Sequence, residues 1–256
     1  MFVLRSFMWR VSPAMSRRPR LFLPDTPFHV IQRGNNRLPC FFGAEDFRFY
    51  RHWLREYADH FGCAVHAYVL MSNHVHLLLT PRERHSPSRL MQFLGTRYVT
   101  HINRIRGRTG SLWEGRFRAS PVETETYLAH LYQYIELNPV RARLARDPAD
   151  HPWSSFRRNA FGIADDVVTE HPFYTCLGPS SEARCEAYRR WFATDLGGDT
   201  LDAIRKAAIA GLPVGSAPFF STVENAAGAP LCHPRGRRRQ NISALTRNKY
   251  FSSDPN

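Results

Sequence analysis

Two histidines, His74 and His76, stand two residues apart inside the apolar run VLMSNHVHLLLT. Side chains alternate between the faces of a β-strand, so both imidazoles would project from one face and could share a metal ion. Imidazole is a common ligand of divalent metal ions. The spacing also fits two buried core histidines, because polar rings inside a protein need hydrogen-bond partners. On the spacing alone, both interpretations remain open.

A second pair with chemical potential is Tyr134 and Asn138, in the segment YIELNPV. Their spacing of four residues places them on one face of a predicted helix. A tyrosine beside a divalent cation can act as a nucleophile, since the cation polarises a phosphodiester and favours the phenolate. The Asn138 amide oxygen could then be a third ligand. Alternatively, Tyr134 is a core residue like Tyr127 and Tyr132, and Asn138 merely ends the helix.

The charge balance indicates a polyanionic partner. The chain has 256 residues, with 35 Lys+Arg against 22 Asp+Glu and a formal net charge of +13. Only Lys206 and Lys249 are lysines, so 33 of the basic residues are arginines, which grip phosphate through a planar fork. Nucleic acid is the first partner to consider and an anionic membrane surface the second.

Composition excludes several classes of protein. Hydrophobic residues at 43% are enough for a folded core, so global disorder is not expected. No apolar stretch approaches the roughly 18 residues that span a bilayer, and no membrane anchor is predicted. The cysteines are odd in number and lack a C-x-x-C pair, which disfavours a disulfide framework or thiolate zinc site and favours a reducing cytoplasm. They are Cys40, Cys63, Cys176, Cys185 and Cys232.

Hydrophobic periodicity predicts an α+β fold with a small antiparallel sheet. The order is strand, helix, strand, strand, helix, strand, helix, and Ser72–Asn73 supplies the turn of a hairpin. The predicted elements are a strand at Phe28–Arg33, a helix at Ala44–His60, strands at Ala64–Met71 and His74–Thr80, a helix at Ser86–Ile105, a loop or short strand at Gly110–Arg118 and a helix at Thr124–Leu137.

Four regions follow from the changes in pattern. Residues 1–20 form a basic arm, unless translation starts at Met15, and residues 21–160 form the main α+β domain. Residues 161–225 are predicted to be a small helical C-terminal extension, and residues 226–256 a basic, flexible tail. Further helices are predicted at Glu182–Thr194 and Thr200–Ala210, and the tail contains the arginine run at 235–239.

These motifs, taken in order, resemble the REP-associated tyrosine transposases, which belong to the HUH class of single-strand DNA transposases. The resemblance runs from about Arg17 to Phe156, which is far more specific than an H-x-H triplet alone. It rests on RGNNR at 33–37, LMSNHVH at 70–76, GRTGSLWEGRF at 107–117, YIELNPVRA at 134–142 and DHPWSSF at 150–156.

The resemblance implies a ferredoxin-like sheet, with the histidines on a central strand and the tyrosine on a helix packed nearby. It implies a Mg²⁺ or Mn²⁺ ion bound by His74, His76 and Asn138, and makes 21–160 the catalytic domain. Tyr134 would attack a phosphate of single-stranded DNA, leaving a 5′-phosphotyrosine and a free 3′-OH. The covalent link would conserve the bond energy, so a second 3′-OH could rejoin the strand without ATP.

The implied substrate is a palindromic repeat hairpin with single-stranded DNA beside it. Arginines are candidates for phosphate or guanine contacts, and aromatic rings for stacking on unpaired bases. Each candidate could equally be a solvated charge or a core aromatic residue. The resemblance leaves a monomer and a homodimer both open. The candidates are Arg17, Arg18, Arg20, Arg33, Arg37, Arg116 and Arg118, with Trp113 and Phe117 for stacking.

Three functions therefore compete. The first is a transposase that nicks and rejoins DNA. The second is a domesticated protein that binds repeat hairpins without turnover, and the third is a metal-dependent phosphodiesterase that uses water. A pure binding protein has no need of the set His74, His76, Tyr134 and Asn138, which favours the first.

Overall fold

The computed structural model of the chain describes residues 20, 22–124, 127–194 and 196–228. The candidate contacts Arg17 and Arg18 and the tail arginines at 235–239 lie outside the described residues. Among the helices of the described part, none combines the length and apolar character needed to cross a bilayer.

The centre of the fold is a four-stranded antiparallel sheet. Its strands are β1 (Phe28–Arg33), β2 (Cys63–Met71), β3 (His74–Pro81) and β4 (Arg118–Pro121), in the order β2-β3-β1-β4. Strands β2 and β3 form the predicted hairpin. The β-α-β-β-α-β order with this strand arrangement is ferredoxin-like, so the α+β prediction is confirmed.

Helices α1 (Ala44–His60) and α2 (Ser86–Arg106) cover one face of the sheet. The Asp46 carboxylate accepts a hydrogen bond from the Phe42 backbone N–H at 2.8 Å, which helps to satisfy the start of α1. Gly107, with a φ of 59°, ends α2 in the left-handed conformation that glycine adopts most readily. Alternate residues of β3, Val75 and Leu77, point into this layer.

The opposite face is covered by helices from the second half of the chain. The first of these helices, α3, begins at Leu128 and not at the predicted Thr124. The predicted loop or short strand at Gly110–Arg118 overlaps the observed strand β4 only at Arg118, because β4 runs over 118–121. The helices are α3 (Leu128–Glu136), α4 (Asn138–Arg141), α5 (Phe156–Phe161), α6 (Pro172–Thr175), α7 (Ser181–Phe192), α8 (Gly198–Ala210) and α9 (Ala217–Ala227).

A buried carboxylate ties α3 to this C-terminal layer. Glu136 is fully buried and accepts hydrogen bonds from Ser155 Oγ, from Asn159 Nδ2 at 2.9 Å and from Tyr188 Oη at 2.8 Å. Burial raises its pKa to about 7, although the three hydrogen bonds act in the opposite direction. Because Tyr188 lies on α7, the position of α3 depends on residues far along the chain.

The region between α8 and α9 also closes the edge of the sheet beside β4. The Val214 backbone N–H donates to the Pro121 carbonyl, and the Glu123 N–H donates to the Val214 carbonyl, both at 2.8 Å. In addition, Ser120 Oγ donates to the Ala207 carbonyl of α8 at 3.2 Å. These bonds satisfy backbone groups that an open edge strand would expose, and they hold α8 against β4, β1 and α3.

Candidate active site

The two histidines of the H-x-H triplet project from the face of β3 that α3 covers. On neighbouring β1, His74 lies opposite Arg33 and His76 opposite Ile31. The centroids of the two imidazole rings are 4.9 Å apart. The His76 side chain is buried, whereas His74 is half-buried. The alternation along β3 therefore brings the rings together, as their spacing predicts.

Both imidazoles use Nδ1 in hydrogen bonds that fix their orientation. His74 Nδ1 is 2.6 Å from Asn73 Oδ1, and His76 Nδ1 is 2.8 Å from His29 Nε2. In each ring this leaves Nε2 as the nitrogen that can bind a metal ion. Metal-binding histidines in general are oriented by such a hydrogen bond on their other nitrogen.

His29 on β1 is the site residue that the sequence did not reveal. Its ring stacks on His76 with centroids 5.1 Å apart, and it is almost completely buried. Among the described residues its Nδ1 has no hydrogen-bond partner. The sequence offered one signal for it. Phe28 and Val30 point into the core, so His29 between them must point to the opposite face of β1, toward either His76 or solvent.

Burial keeps all three rings in the neutral form. It lowers the pKa of His29 to about 3 and that of His74 to about 4, where the nearby Arg33 charge contributes and a hydrogen bond with the Asn138 side chain opposes. The pKa of His76 lies well below its ordinary value, because of burial first and then the neighbouring histidines. Unprotonated imidazole nitrogens can coordinate a metal ion without first releasing a proton.

Tyr134 is the tyrosine of α3 whose ring meets the histidines. The centroid of its ring is 5.7 Å from those of His29 and His76, with edge-on geometry in both cases. Tyr132, by contrast, packs its ring against Phe173 and Tyr188. One helix therefore presents its tyrosines to different surroundings, because residues two apart point in different directions.

A kink after α3 places Asn138 and Arg141 around this tyrosine. Pro139 has no N–H to continue the hydrogen-bond ladder of α3, so the chain turns at Leu137 and restarts as α4. The Arg141 guanidinium donates to the Tyr134 carbonyl and lies 4.8 Å from the centre of its ring. Burial lowers the pKa of Arg141 to about 10, which leaves it charged at neutral pH.

The donor set at this site consists of two neutral imidazoles and one amide. The residues with described placement contain no group of three or more His, Cys, Asp or Glu side chains suited to a metal ion. Asn138 lies near His74, since its side chain opposes the lowering of the His74 pKa. Such a set fits a divalent ion that takes its remaining ligands from water or from substrate oxygens.

Several candidate DNA contacts are available to a ligand. Arg33, Arg37 and Arg116 are exposed. Arg118 is also exposed, but its guanidinium donates to the Ile209 carbonyl at the end of α8. Arg20 is more constrained: it donates to the Phe117 carbonyl and lies 3.9 Å from the centre of the Phe117 ring.

For Trp113 the structure favours the core alternative over stacking on DNA. Its side chain is only 6% exposed and packs among Tyr50 and Tyr98, with ring centroids 6.4 and 5.8 Å away. Phe117 is likewise buried, beneath Arg20 and Phe22. Large aromatic rings gain more free energy from burial in the α1–α2 layer than from exposure to solvent, so neither ring presents a face to an unpaired base.

Part of the chain is similar to a known protein family. Residues 24–138 match the family model described as "Transposase IS200 like", a segment that extends from before β1 to Asn138. A Haemophilus influenzae protein that carries the name REP-associated tyrosine transposase is 24% identical over 120 residues, which are 43% of this chain and 68% of that protein.

Two solved structures are also similar to the chain. One is a REP-associated tyrosine transposase bound to a REP hairpin, with 19% identity and a TM-score of 0.49, covering 61% of this chain and 93% of the other. The second is a Deinococcus radiodurans protein described as a transposase, with 21% identity and a TM-score of 0.34, covering 47% of this chain and 96% of the other.

Proposed function

We propose that this chain, whose residues 24–138 match the IS200-like transposase family, nicks and rejoins single-stranded DNA beside a repeat hairpin. The proposed reaction depends on a divalent metal ion and passes through a 5′-phosphotyrosine at Tyr134. The named Haemophilus influenzae relative and the net charge of +13 both support DNA as the partner.

One observation carries the proposal: the Tyr134 ring meets the rings of His29 and His76, and the Asn138 side chain lies near His74, where it opposes the lowering of that pKa. A nucleophile, two imidazoles and an amide thus converge from β3, α3 and α4 on one face of the sheet. Ordinary core packing would explain each residue separately. It does not explain why two buried histidine rings and an arginine surround one tyrosine.

The chemical step follows from this convergence. The Tyr134 hydroxyl gives up its proton to water as its oxygen attacks the scissile phosphorus, a new P–O bond forms to the tyrosine, and the bond to the 3′ oxygen breaks. The leaving 3′ oxygen takes up a proton and becomes a free 3′-OH. In the second half, a 3′-OH attacks the same phosphorus and the tyrosine leaves, so the strand is rejoined without an external energy source.

The chain's own residues prepare the metal site and the nucleophile. His74, His76 and Asn138 would hold the ion, and either Mg²⁺ or Mn²⁺ suits this donor set. A bound divalent ion would supply positive charge that polarises the scissile phosphate. The Arg141 guanidinium lies 4.8 Å from the centre of the Tyr134 ring, which places a positive charge next to the proposed nucleophile.

A denaturing gel tests the proposed function. Single-stranded DNA that carries a repeat hairpin from the chain's own genome, labelled at either end, is mixed with the protein and Mn²⁺. The proposal expects a band of protein-linked DNA and a shorter strand with a free 3′-OH. Nicking without a linked band would instead indicate a phosphodiesterase that uses water. Binding without any nicking would indicate a protein that only binds hairpins.

His29 is expected to act as a positioning residue for His76. If His76 Nδ1–H donates to His29 Nε2, the lone pair of His76 Nε2 points away from His29 and is available to a metal ion. His29→Leu removes this acceptor, and we expect Mn²⁺ binding, measured by calorimetry, to weaken by about 10- to 100-fold. His29→Gln can keep an acceptor near the same place and should recover most of the affinity.

His66→Gln is the matched control for this prediction. His66 is also a buried histidine on a strand, but its nitrogens bond Thr169 O at 2.8 Å and Thr80 Oγ1 at 2.9 Å, away from the candidate site. The control should bind Mn²⁺ like the unmodified protein. A folded His29→Leu variant that also binds Mn²⁺ with unchanged affinity contradicts the positioning role.

A further inference from the structure

A groove opens beside the histidine pair, on the same face of the sheet. It lies between the end of β1, the loop before β4 and the last turn of α8, and its cavity volume is about 70 Å³. Three arginines and three apolar residues line it: Arg33, Arg116, Arg118, Ile31, Ala208 and Ile209.

The strand register connects this groove to the candidate active site. Arg118 on β4 lies opposite Ile31 on β1, and Ile31 lies opposite His76 on β3. Directly opposed residues in an antiparallel sheet share a face, and neighbouring strands are about 4.8 Å apart. The groove therefore begins roughly 5 to 10 Å from the histidines, one or two strand spacings away.

The charge of the groove suits a phosphate backbone. Arg33 and Arg116 are both exposed, so their guanidinium groups can reach phosphate oxygens. The Arg33 charge also acts on the candidate active site, since it contributes to the low pKa values of His74 and His76. The single acid of the lining, Glu114, leaves a net positive charge.

Helix α8 gives the groove an apolar wall. Arg118 donates to the Ile209 carbonyl and Ser120 donates to the Ala207 carbonyl, so the last turn of α8 is attached to β4. The Ile209 side chain is nevertheless 69% exposed. An exposed isoleucine between arginines offers apolar surface to an unpaired base at a point where the backbone phosphates would be held.

We propose, on the basis of the proposed function, that this groove binds the single-stranded DNA next to the scissile phosphate. Arg33 and Arg116 bind its phosphates, and Ile31 and Ile209 contact one unpaired base. The C-terminal region would then be a part of the DNA-binding surface, since α8 supplies one wall. The occupant is single-stranded because a duplex does not expose the face of a base to a side chain.

Binding without cleavage tests this inference. Fluorescence anisotropy in EDTA compares a hairpin that has a single-stranded flank with the same hairpin lacking it. Ile209→Glu places a carboxylate in the groove and should weaken binding of the flanked hairpin by about tenfold, with binding of the bare hairpin unchanged. Arg116→Glu should act in the same direction and more strongly, because it removes a phosphate contact as well.

Two matched variants control for surface charge. Ile163→Glu alters another exposed isoleucine, and Arg84→Glu alters an exposed arginine just beyond the end of β3 that is farthest from His74. Both should bind the flanked hairpin as the unmodified protein does. If Ile209→Glu and Arg116→Glu also bind it unchanged, the groove is not the binding site, whether or not the protein forms a covalent adduct. The protein could also fail to cleave DNA while these two variants lose affinity only for the hairpin with the single-stranded flank. In that case the groove proposal stands and the proposed function fails.

Discussion

Replacement of Tyr134 by phenylalanine should abolish both the protein-linked DNA band and strand cleavage, by at least about 10⁴-fold, since it removes the attacking oxygen. The substitution deletes one atom from a ring whose packing does not depend on it. The edges of His29 and His76 and the Arg141 guanidinium would still contact the phenyl ring. Hairpin binding in EDTA should therefore stay within about twofold of the unmodified protein.

Tyr132→Phe is the matched control for this result. Tyr132 lies on the same helix but faces Phe173 and Tyr188, so its hydroxyl has no part in the proposed chemistry. The Tyr132 variant should cleave and form the adduct at nearly the unmodified rate. If the Tyr134→Phe variant still forms the adduct, Tyr134 is not the nucleophile. Tyr127 and Tyr132 would then be the next candidates.

His76→Gln is expected to have the second largest effect. It retains most of the side-chain volume in a buried position, so the sheet should still form, but it removes the imidazole nitrogen of the proposed metal site. We expect Mn²⁺ affinity to fall by more than about 100-fold, and cleavage by about 10³-fold, since several kcal/mol of charge stabilisation would be lost. Calorimetry with MnCl₂ and the denaturing gel measure the two effects separately.

Circular dichroism and the His66→Gln variant control for damage to the fold. Glutamine at position 76 could also leave His29 Nε2 without its present partner, which costs stability whether or not a metal binds. A folded His76→Gln variant that cleaves as well as the unmodified protein, or unmodified protein that cleaves fully in EDTA, would contradict a metal site at these histidines.

Local patterns in the sequence were enough to predict the sheet and the helices that flank it. Strand β1 and helix α1 have the predicted bounds, and the alternation that places His74 and His76 on one face holds in the structure. Strong periodicity and clear turn residues carry this information within short segments. The start of α3 is less exact, because apolar spacing continues through residues that lie before the first helical turn at Leu128.

Contacts between distant segments could not be predicted in this way. The partner of His29 is His76, and only the pairing of β1 with β3 brings the two together. Trp113 shows the same limit: the sequence left open whether it stacks on DNA or lies in the core, and its ring packs between the sheet and the helices. The sequence pattern does not say which side of an irregular segment faces the core.

The C-terminal helices show the same limit. Their existence follows from apolar periodicity, and α8 and α7 lie close to the predicted ranges. Their proposed role in the groove does not follow from the sequence. It depends on the pairing of Val214 with residues 121–123 and on the hydrogen bond from Arg118 to the Ile209 carbonyl. These bonds turn an extension of the chain into the wall of a groove beside the candidate active site.

Mass spectrometry of the reacted protein tests the tyrosine mechanism most directly. After reaction with hairpin DNA and Mn²⁺, nuclease trimming and trypsin would release the peptide 119–141, which contains Tyr127, Tyr132 and Tyr134. The mechanism predicts a nucleotide attached through a 5′-phosphate to this peptide, with fragmentation placing it on Tyr134. Nicked DNA with no modified peptide, or a nucleotide on any residue other than Tyr134, would contradict it.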